Sequence, residues 1–537
     1  MKSVANFINA NVRLDGRAEL IEKLTDKLIL KPSPSDADLI LYAYETWGED
    51  CVKHLIGDFA FAIWDSRLQR FFCARDHFGV KPFFYTLISG SFAFSSTLNE
   101  LRLDPKVSNM LSETAIGDYL LFGVNQDLST TTFKDIHRLP PGHSLIVTDG
   151  VIKTRRYWTP GISNEVRFRD PESYVERFSE LLSRAVKDRL CMNRVSVSMS
   201  GGLDSTSIAA IARAQIHDAS ALQACTVVYD SLIPDEERHY STVAANHLGI
   251  PIMHLNADRY SLFDEQVPGD MDQPEPFLLS PLTGQFTDLL RLCAGFGAVA
   301  LTGYDGDAFM NEPQTWRPKI QARLRRMLGR RPAGPLLPEW IDESFALRTN
   351  LHDRLKQSLT KPVHLANPAN PVWTSLFEGY DPGATKLNLE VRHPFIDVRL
   401  VEFLLAIPVV PWRVNKHILR SAMKDLLPAA VLNRPKTPLA ADPALQLARR
   451  ASVRWLDSFE VSPQLSAFVN LNRRRSLTDE ETSDGLWANL RIFALNYWLT
   501  HSQPGVRRTS QNAGNDERGN QDLNPLNSLK MEMMHGT

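Results

Sequence analysis

The sequence predicts an α/β protein in two unlike parts. A mixed α+β unit comes first, followed by a larger unit built on a doubly wound parallel sheet. Three observations predict this. The chain has 537 residues, too many for one hydrophobic core. Residues 1–157 hold short strand-like runs, FAFAIWD, RFFCARD and SFAFSS, parted by turn signals such as HFGVKP and LPPGHS. From residue 170 onward, short apolar strands alternate with amphipathic helices, the signature of a parallel sheet covered on both faces.

The elements follow in order. PESYVERFSELLSRAV places Tyr174, Phe178, Leu181, Leu182 and Ala185 on one helical face. RVSVSMS reads as a strand and TSIAAIARAQI as a helix; ACTVVY is a strand and ERHYSTVAANHLG a helix. PIMHLN, LTGQFTDLLRLCAGF and AVALTGY continue as strand, helix and strand. Residues 313–370, rich in Pro and Arg, read as an insertion. Its Arg317, Lys319, Arg323, Arg325, Arg326, Arg330 and Arg331 have no acid between them, which fits a solvated helix face or a dock for an acidic peptide. Two more helices, DVRLVEFLLAI and KHILRSAMKDLL, come next. The expected units are 1–157, 165–503 and a weakly hydrophobic, disordered tail at 504–537.

Composition narrows the function classes. A 43% hydrophobic, 23% charged chain is an ordinary globular one, and a formal net charge of -2 gives no general pull toward nucleic acid or anionic membrane. Cys51, Cys73, Cys191, Cys225 and Cys293 are scattered without CxxC spacing, which argues against a disulfide framework or a zinc site. They read as buried thiols of a reducing compartment. There is no apolar signal core and no apolar run of membrane-spanning length, so the expectation is a cytoplasmic protein.

The stretch SMSGGLDSTSIAA, residues 198–210, carries the chemistry. It sits where a strand ends and a helix begins, the ligand-binding edge of an open α/β sheet. Gly201 and Gly202 let backbone N–H groups approach an anion, and the helix adds its positive end. Ser200 and Ser205 offer hydroxyls. Asp204 repels a bare phosphate, so it points to Mg²⁺ bridging to the phosphates. The loop reads as a triphosphate or pyrophosphate cradle, and it is not a Walker A loop because GxxxxGK[ST] is absent. A tight capped turn is the bland alternative.

SGGLDS resembles the pyrophosphatase loop of enzymes that split ATP to AMP: asparagine synthetases, GMP synthetases, argininosuccinate synthetases and tRNA thiolases. The rest of the chain separates these. GDFAFAIWDSRLQRFFCARDHFGVKPFFY resembles the amidotransferase half of the asparagine synthetase B and beta-lactam synthetase superfamily. LTGYDGDAF, EVRHPFID, KHILRSAM and RPKTPLA resemble its synthetase half, in order. The resemblance implies an N-terminal amidotransferase-like unit of Ntn-hydrolase type, truncated or degenerate, before an ATP-pyrophosphatase synthetase unit. It implies ATP and Mg²⁺, with Asp204 and Asp307 as the metal pair. It places Thr302 and Gly303 near the nucleotide, and Met199 and Val228 as apolar contacts to adenosine. It puts Lys436 where charge gathers on the α-phosphate and acyl carbon.

Subtype turns on TGYDGDAF. Asparagine synthetases usually carry an acidic-rich loop there, whereas beta-lactam synthetases put Tyr at the position of Tyr304 and pair it with a Glu to deprotonate an amine. A phenol alone is a poor base, so Tyr304 with Glu390 is the expected catalytic dyad. Two alternatives stay open: Tyr304 packing against adenine, and Glu390 pairing structurally with Arg392. Glutamine-using members begin with Met-Cys, but residue 2 here is Lys, and Cys51 lies mid-domain. Either the start is placed too late or the glutaminase is lost; the chain as given is expected not to hydrolyse glutamine. TSLFEGYDPG, LLAIPVVPW, RPKTPLAADP and PEWIDESFALR are most similar to lasso peptide cyclases. These adenylate an Asp or Glu side chain of a precursor peptide and close a macrolactam on its N-terminal amine. The expected partners are therefore a precursor peptide or small amino-acid substrate, and a leader peptidase. The runner-up is an asparagine synthetase, using glutamine or free ammonia. A non-catalytic regulator is disfavoured by the retained Asp204, Asp307 and Lys436.

Overall fold

The computed structural model describes residues 6–161, 165–190, 194–264, 273–310, 336–360, 370–434 and 441–501, apart from position 278 and isolated positions within 451–481. The expected tail, Cys191, Lys436 and the basic run at 317–331 lie outside the described residues.

The N-terminal unit is layered. Its main sheet is antiparallel, in the order β1 (Phe7–Asp15), β2 (Ile56–Asp65), β3 (Arg70–Arg75), β7 (His143–Thr148), β8 (Val151–Arg156). A smaller sheet has the order β5 (Ser91–Ser95), β4 (Phe84–Ile88), β6 (His137–Arg138). Strand β2 shows why the run FAFAIWD is apolar throughout. Alternate residues point to opposite faces. Phe59, Phe61 and Ile63 pack under helices α1 (Arg17–Thr25) and α2 (Asp36–Trp47), while Ala60 and Ala62 face the smaller sheet through Phe83, Phe92 and Phe94. Two more helices, α3 (Leu98–Arg102) and α4 (Glu113–Phe122), follow the smaller sheet's hairpin.

The second unit has the doubly wound sheet. All five strands are parallel, in the order β11 (Ile252–Asn256), β10 (Leu222–Val228), β9 (Val195–Ser198), β12 (Val299–Thr302), β13 (Glu390–Arg392). Helices α5 (Pro171–Arg189), α6 (Leu203–Gln215) and α7 (Glu237–Leu248) join the larger core, and α8 (Thr283–Phe296) closes the sheet from a separate cluster with Cys225 and Ala300. The strand order reverses between β9 and β12, whose last residues, Ser198 and Thr302, are paired. The crevice outside that point is where such sheets bind ligands.

The two units share cores and charges. Ile116, Tyr119 and Leu120 of α4 pack with Trp340 and Phe345 and with Ile492, Leu495 and Trp498 of a late helix, Ser483–His501. Buried Arg189 bridges Asp15 (3.2 Å) of the first unit and Asp397 (3.0 Å) of the second, and Lys81 reaches Glu390 at 2.8 Å. Glu378 takes Arg75 at 3.1 Å and Arg138 at 2.7 Å. The four described cysteines, Cys51, Cys73, Cys225 and Cys293, are buried free thiols. Among the described residues no helix is long and apolar enough to cross a membrane.

Candidate active site at the sheet switch point

Two loops meet beyond the paired ends of β9 and β12. The first runs from Ser198 into α6. Gly201 is required by close packing, because a Cβ there would lie 2.3 Å from the Tyr240 Cβ of α7. Its N–H donates to the Glu237 carboxylate at 2.6 Å, and Arg434 holds the other oxygen of Glu237 at 2.9 Å while lying over the Tyr240 ring. Ser200 folds back over the turn: its hydroxyl accepts from the Gly202 N–H (3.3 Å) and meets the Ser205 hydroxyl (3.1 Å).

The second loop crosses directly over the first. A Cβ on Gly303 would sit 2.4 Å from the Ser205 backbone N, and one on Gly306 would sit 2.5 Å from the Asp204 Cγ. Both glycines are therefore needed for the loops to touch. The contact brings Asp204, on the first turn of α6, near Asp307, on the short helix α9 (Gly306–Met310). Both carboxylates converge on one ammonium: Lys416 Nζ bonds Asp204 and lies 2.7 Å from Asp307. Asp305, between the loops' acids in sequence, is buried with a left-handed φ of 72°; burial and the neighbouring Asp307 charge push its carboxyl well above the usual range.

The loops enclose a cavity of about 690 Å³, within the size of small-molecule sites. Ser200, Gly202, Asp204, Ser205, Thr302, Gly303, Tyr304 and Asp307 line it, so eight of the residues expected from sequence share one wall. Glu237, Lys416, Arg420 and Arg434, which sequence reasoning did not assign, line it too. Lys416 and Arg420 stand within KHILRSAM and Arg434 opens RPKTPLA, which was their only signal; Glu237, at the start of the ERHYSTVAANHLG helix, had none.

Several expectations need correction. Met199 and Val228 are fully buried and do not line the cavity; each sits at or just past a strand end with its side chain in the interior. Gly201 lies behind the wall, its N–H turned to Glu237. The Tyr304–Glu390 dyad does not form. Glu390 is level with Val299, the first residue of β12, whereas Tyr304 follows the last. Three residues of strand, about 10 Å, put it at the wrong end of the sheet. Its oxygens are held by Lys81 (2.8 Å) and Arg392 (2.9 Å). Burial pushes the carboxyl up, but those two cations outweigh it and hold it well below the usual carboxylate range. The structural pairing with Arg392 is the one observed.

Tyr304 has a different partner. Its hydroxyl and that of Tyr380 are 2.9 Å apart, and its ring meets Trp373 and His393 at centroid distances of 6.1 Å. Burial pushes the Tyr304 phenol up, which keeps it protonated. His393 is buried, and burial pushes it down to about 3, so its imidazole is neutral. Thr302 Oγ1 accepts from the Tyr304 N–H (3.4 Å), and its proton is available to His393 Nδ1 at 2.7 Å. A chain of neutral hydrogen bonds therefore fixes the start of the second loop.

Residues 16–158 match the glutamine amidotransferase domain, and residues 177–500, more than half the chain, match asparagine synthase. The chain belongs to the asparagine synthase family. Among its relatives, asparagine synthetase [glutamine-hydrolyzing] 3 of Bacillus subtilis is 28% identical over 436 residues, covering 75% of this chain and 70% of the relative. Asparagine synthetase [glutamine-hydrolyzing] 2 of the same organism is 28% identical over 458 residues, covering 75% of this chain and 58% of the relative. A putative asparagine synthetase [glutamine-hydrolyzing] of Mycobacterium tuberculosis is 25% identical over 528 residues, covering 86% of this chain and 79% of the relative. As a member of the asparagine synthase family the protein is an ATP-dependent carbon–nitrogen ligase, with the amidotransferase-type unit ahead of the synthase unit. The switch-point cavity has a glycine-rich turn and a helix start in its lining, features that suit an anionic ligand.

Proposed function

We propose that this ligase activates a side-chain carboxylate of a peptide as its acyl adenylate and passes it to an amine of the same peptide, closing a macrolactam ring as lasso peptide cyclases do. The observation that carries this reading is the placement of Tyr304. Tyr304 borders the cavity beside the acid pair, backed by Trp373, Tyr380 and His393. These rings fix Tyr304, whose apolar ring and neutral phenol suit a peptide near the reacting centre.

In this reading the first loop and Lys416, Arg420 and Arg434 receive the phosphates of ATP. The donor set fits Mg²⁺: two carboxylates already share one cationic position, and Mg²⁺ is commonly held by one or two carboxylates plus phosphate oxygens. Bound there, the ion would neutralise charge on the departing pyrophosphate. Tyr304 accepts a hydrogen bond from the attacking amine and orients it; its raised pKa makes it a poor proton acceptor by itself. Lys436 is proposed to stabilise charge at the acyl carbon. A leader peptidase is the partner this chemistry requires, because the ring-closing amine has to be freed first.

The names of the curated relatives favour a second reading, asparagine formation from aspartate with glutamine or ammonia. One experiment separates the two. The protein is incubated with ATP, Mg²⁺ and synthetic linear peptides bearing a free N-terminal amine and one internal Asp or Glu, and in parallel with aspartate plus glutamine or ammonia. Mass spectrometry follows loss of water from the peptide, and AMP is measured. A dehydrated cyclic peptide with AMP supports the proposal. Asparagine with no cyclic product replaces it by the second reading.

A further inference from the structure

The unassigned Lys416 is the most constrained cation of the site. It is only 8% exposed, yet its ammonium bonds both Asp204 and Asp307, 212 and 109 positions away along the chain. The backbone that aims it is strained. Asn415 and Lys416 both adopt left-handed φ values, 49° and 55°, a conformation that is unfavourable for a side chain such as lysine. The strain is held by α9, the helix that carries Asp307: the Lys416 N–H donates to Met310 O at 2.9 Å, and Arg413 donates to Phe309 O at 3.0 Å. Strain maintained by the partner element indicates that the position of this ammonium matters beyond packing.

We propose that Lys416 is a resident counter-ion: it occupies the cation position between Asp204 and Asp307 until a metal–nucleotide complex displaces it. This inference rests on the ATP site read above. Two carboxylates brought together without a cation repel each other, and Lys416 removes that cost while the site waits. A lysine suits the task because its flexible four-carbon stem lets a point charge leave while its backbone stays fixed. Its destination lies in the same cavity, where nucleotide phosphates would gain the charge that the acids lose. A metal ion alone has to evict Lys416 with nowhere to place it. A metal ion arriving with a nucleotide does not. Metal and nucleotide binding are therefore synergistic by construction, and the synergy is reciprocal.

The test is calorimetric titration of the full chain with MnCl₂, with and without a non-hydrolysable ATP analogue. The wild type should bind Mn²⁺ alone weakly and at least roughly tenfold more tightly with the analogue, the scale of one competing unit charge in a part-buried site. Lys416→Met should bind Mn²⁺ alone roughly tenfold more tightly than wild type and lose most of the synergy. Lys416→Arg keeps a cation and should restore weak binding of metal alone. Equal Mn²⁺ affinity for the wild type with and without analogue overturns the inference, and that measurement needs no variant. So does a Lys416→Met protein, folded by circular dichroism, that binds Mn²⁺ alone as the wild type does. Failure of the wild type to bind the metal–analogue pair at all would instead refute the reading of the cavity as an ATP site.

Discussion

At the scale of single residues, the two cavity acids have separable consequences from the tyrosine beside them. Asp204→Ala removes one of two carboxylates facing the cation position, so ATP–pyrophosphate exchange should fall at least about a hundredfold. Exchange near wild type would remove Asp204 from the site's chemistry. Tyr304→Phe keeps the ring contacts and loses the hydroxyl bonded to Tyr380, so exchange should stay within about threefold while ring closure slows roughly a hundredfold. Parental closure would make the tyrosine a packing residue. His393 gives a pH signature. Its folded pKa, about 3, lies below the unfolded value near 6.5, so the unfolded chain takes the proton first as pH falls. The stabilisation it supports is present above about pH 6.5 and is lost on acidification toward 3, by about 2 kcal/mol at pH 5. Denaturant melts of wild type and His393→Gln at both pH values should show their difference shrinking by that amount; a constant difference refutes it. What the sequence disclosed at this scale was local. Asp204 and Asp307 were legible because each sits in a short glycine-rich loop after a strand. Lys416 was not, because its partners are distant in sequence and a lysine in KHILR reads as surface. The Tyr304–Glu390 dyad failed for a related reason: a motif does not say at which end of its strand a residue will stand.

At the scale of elements, the site depends on two loops touching. Gly303→Ala should push backbone against backbone, because its Cβ would meet the Ser205 N at 2.4 Å and the Ser205 Cα at 2.6 Å. Relief requires the second loop to lift, at about 1–3 kcal/mol. The variant should melt lower and lose nucleotide binding together. Gly306→Ala should keep more stability, since its clash is with the Asp204 side chain, but displace that carboxylate. A Gly303→Ala protein that binds ATP normally would show that the loops need not touch. Strands β9 to β12 and the helices between them were readable from alternation alone, because each buries one face or both. Strand β13, with only three residues, has no period to read. EVRHPFID reads as a motif and not as a fifth strand.

At the scale of the whole molecule, the two units are tied by buried charge. Lys81 reaches from the first unit to Glu390 on β13, with side-chain exposures of 9% and 26%. Arg189 spans Asp15 and Asp397 in the same zone. Lys81→Met leaves Glu390 to Arg392 alone and removes a buried charge-assisted hydrogen bond between the units, so it should cost about 1.5–3 kcal/mol. Scanning calorimetry of the full chain should show one transition in wild type; two well-separated transitions would mean that the units are independent. A chain starting at residue 165 should expose the faces that pack on α4 and on Phe78 and Val80, and should aggregate. None of this coupling was legible beforehand. Charged residues look alike in sequence whether they face water or one another.

The core shared by α4 and the helix Ser483–His501 has a consequence in time. Ile116, Tyr119 and Leu120 find Ile492, Leu495 and Trp498 only after the intervening chain, Gly123 to Thr482, has been made. That is about 360 residues, or roughly 18 to 72 seconds at ribosomal speeds of about 5–20 residues per second. Until Trp340 and Phe345 are made that flank of the first unit has no partner, and until the last helix is made its cover is incomplete. The newborn chain must therefore be sheltered, by its own unfinished second unit or by a chaperone, for most of its synthesis.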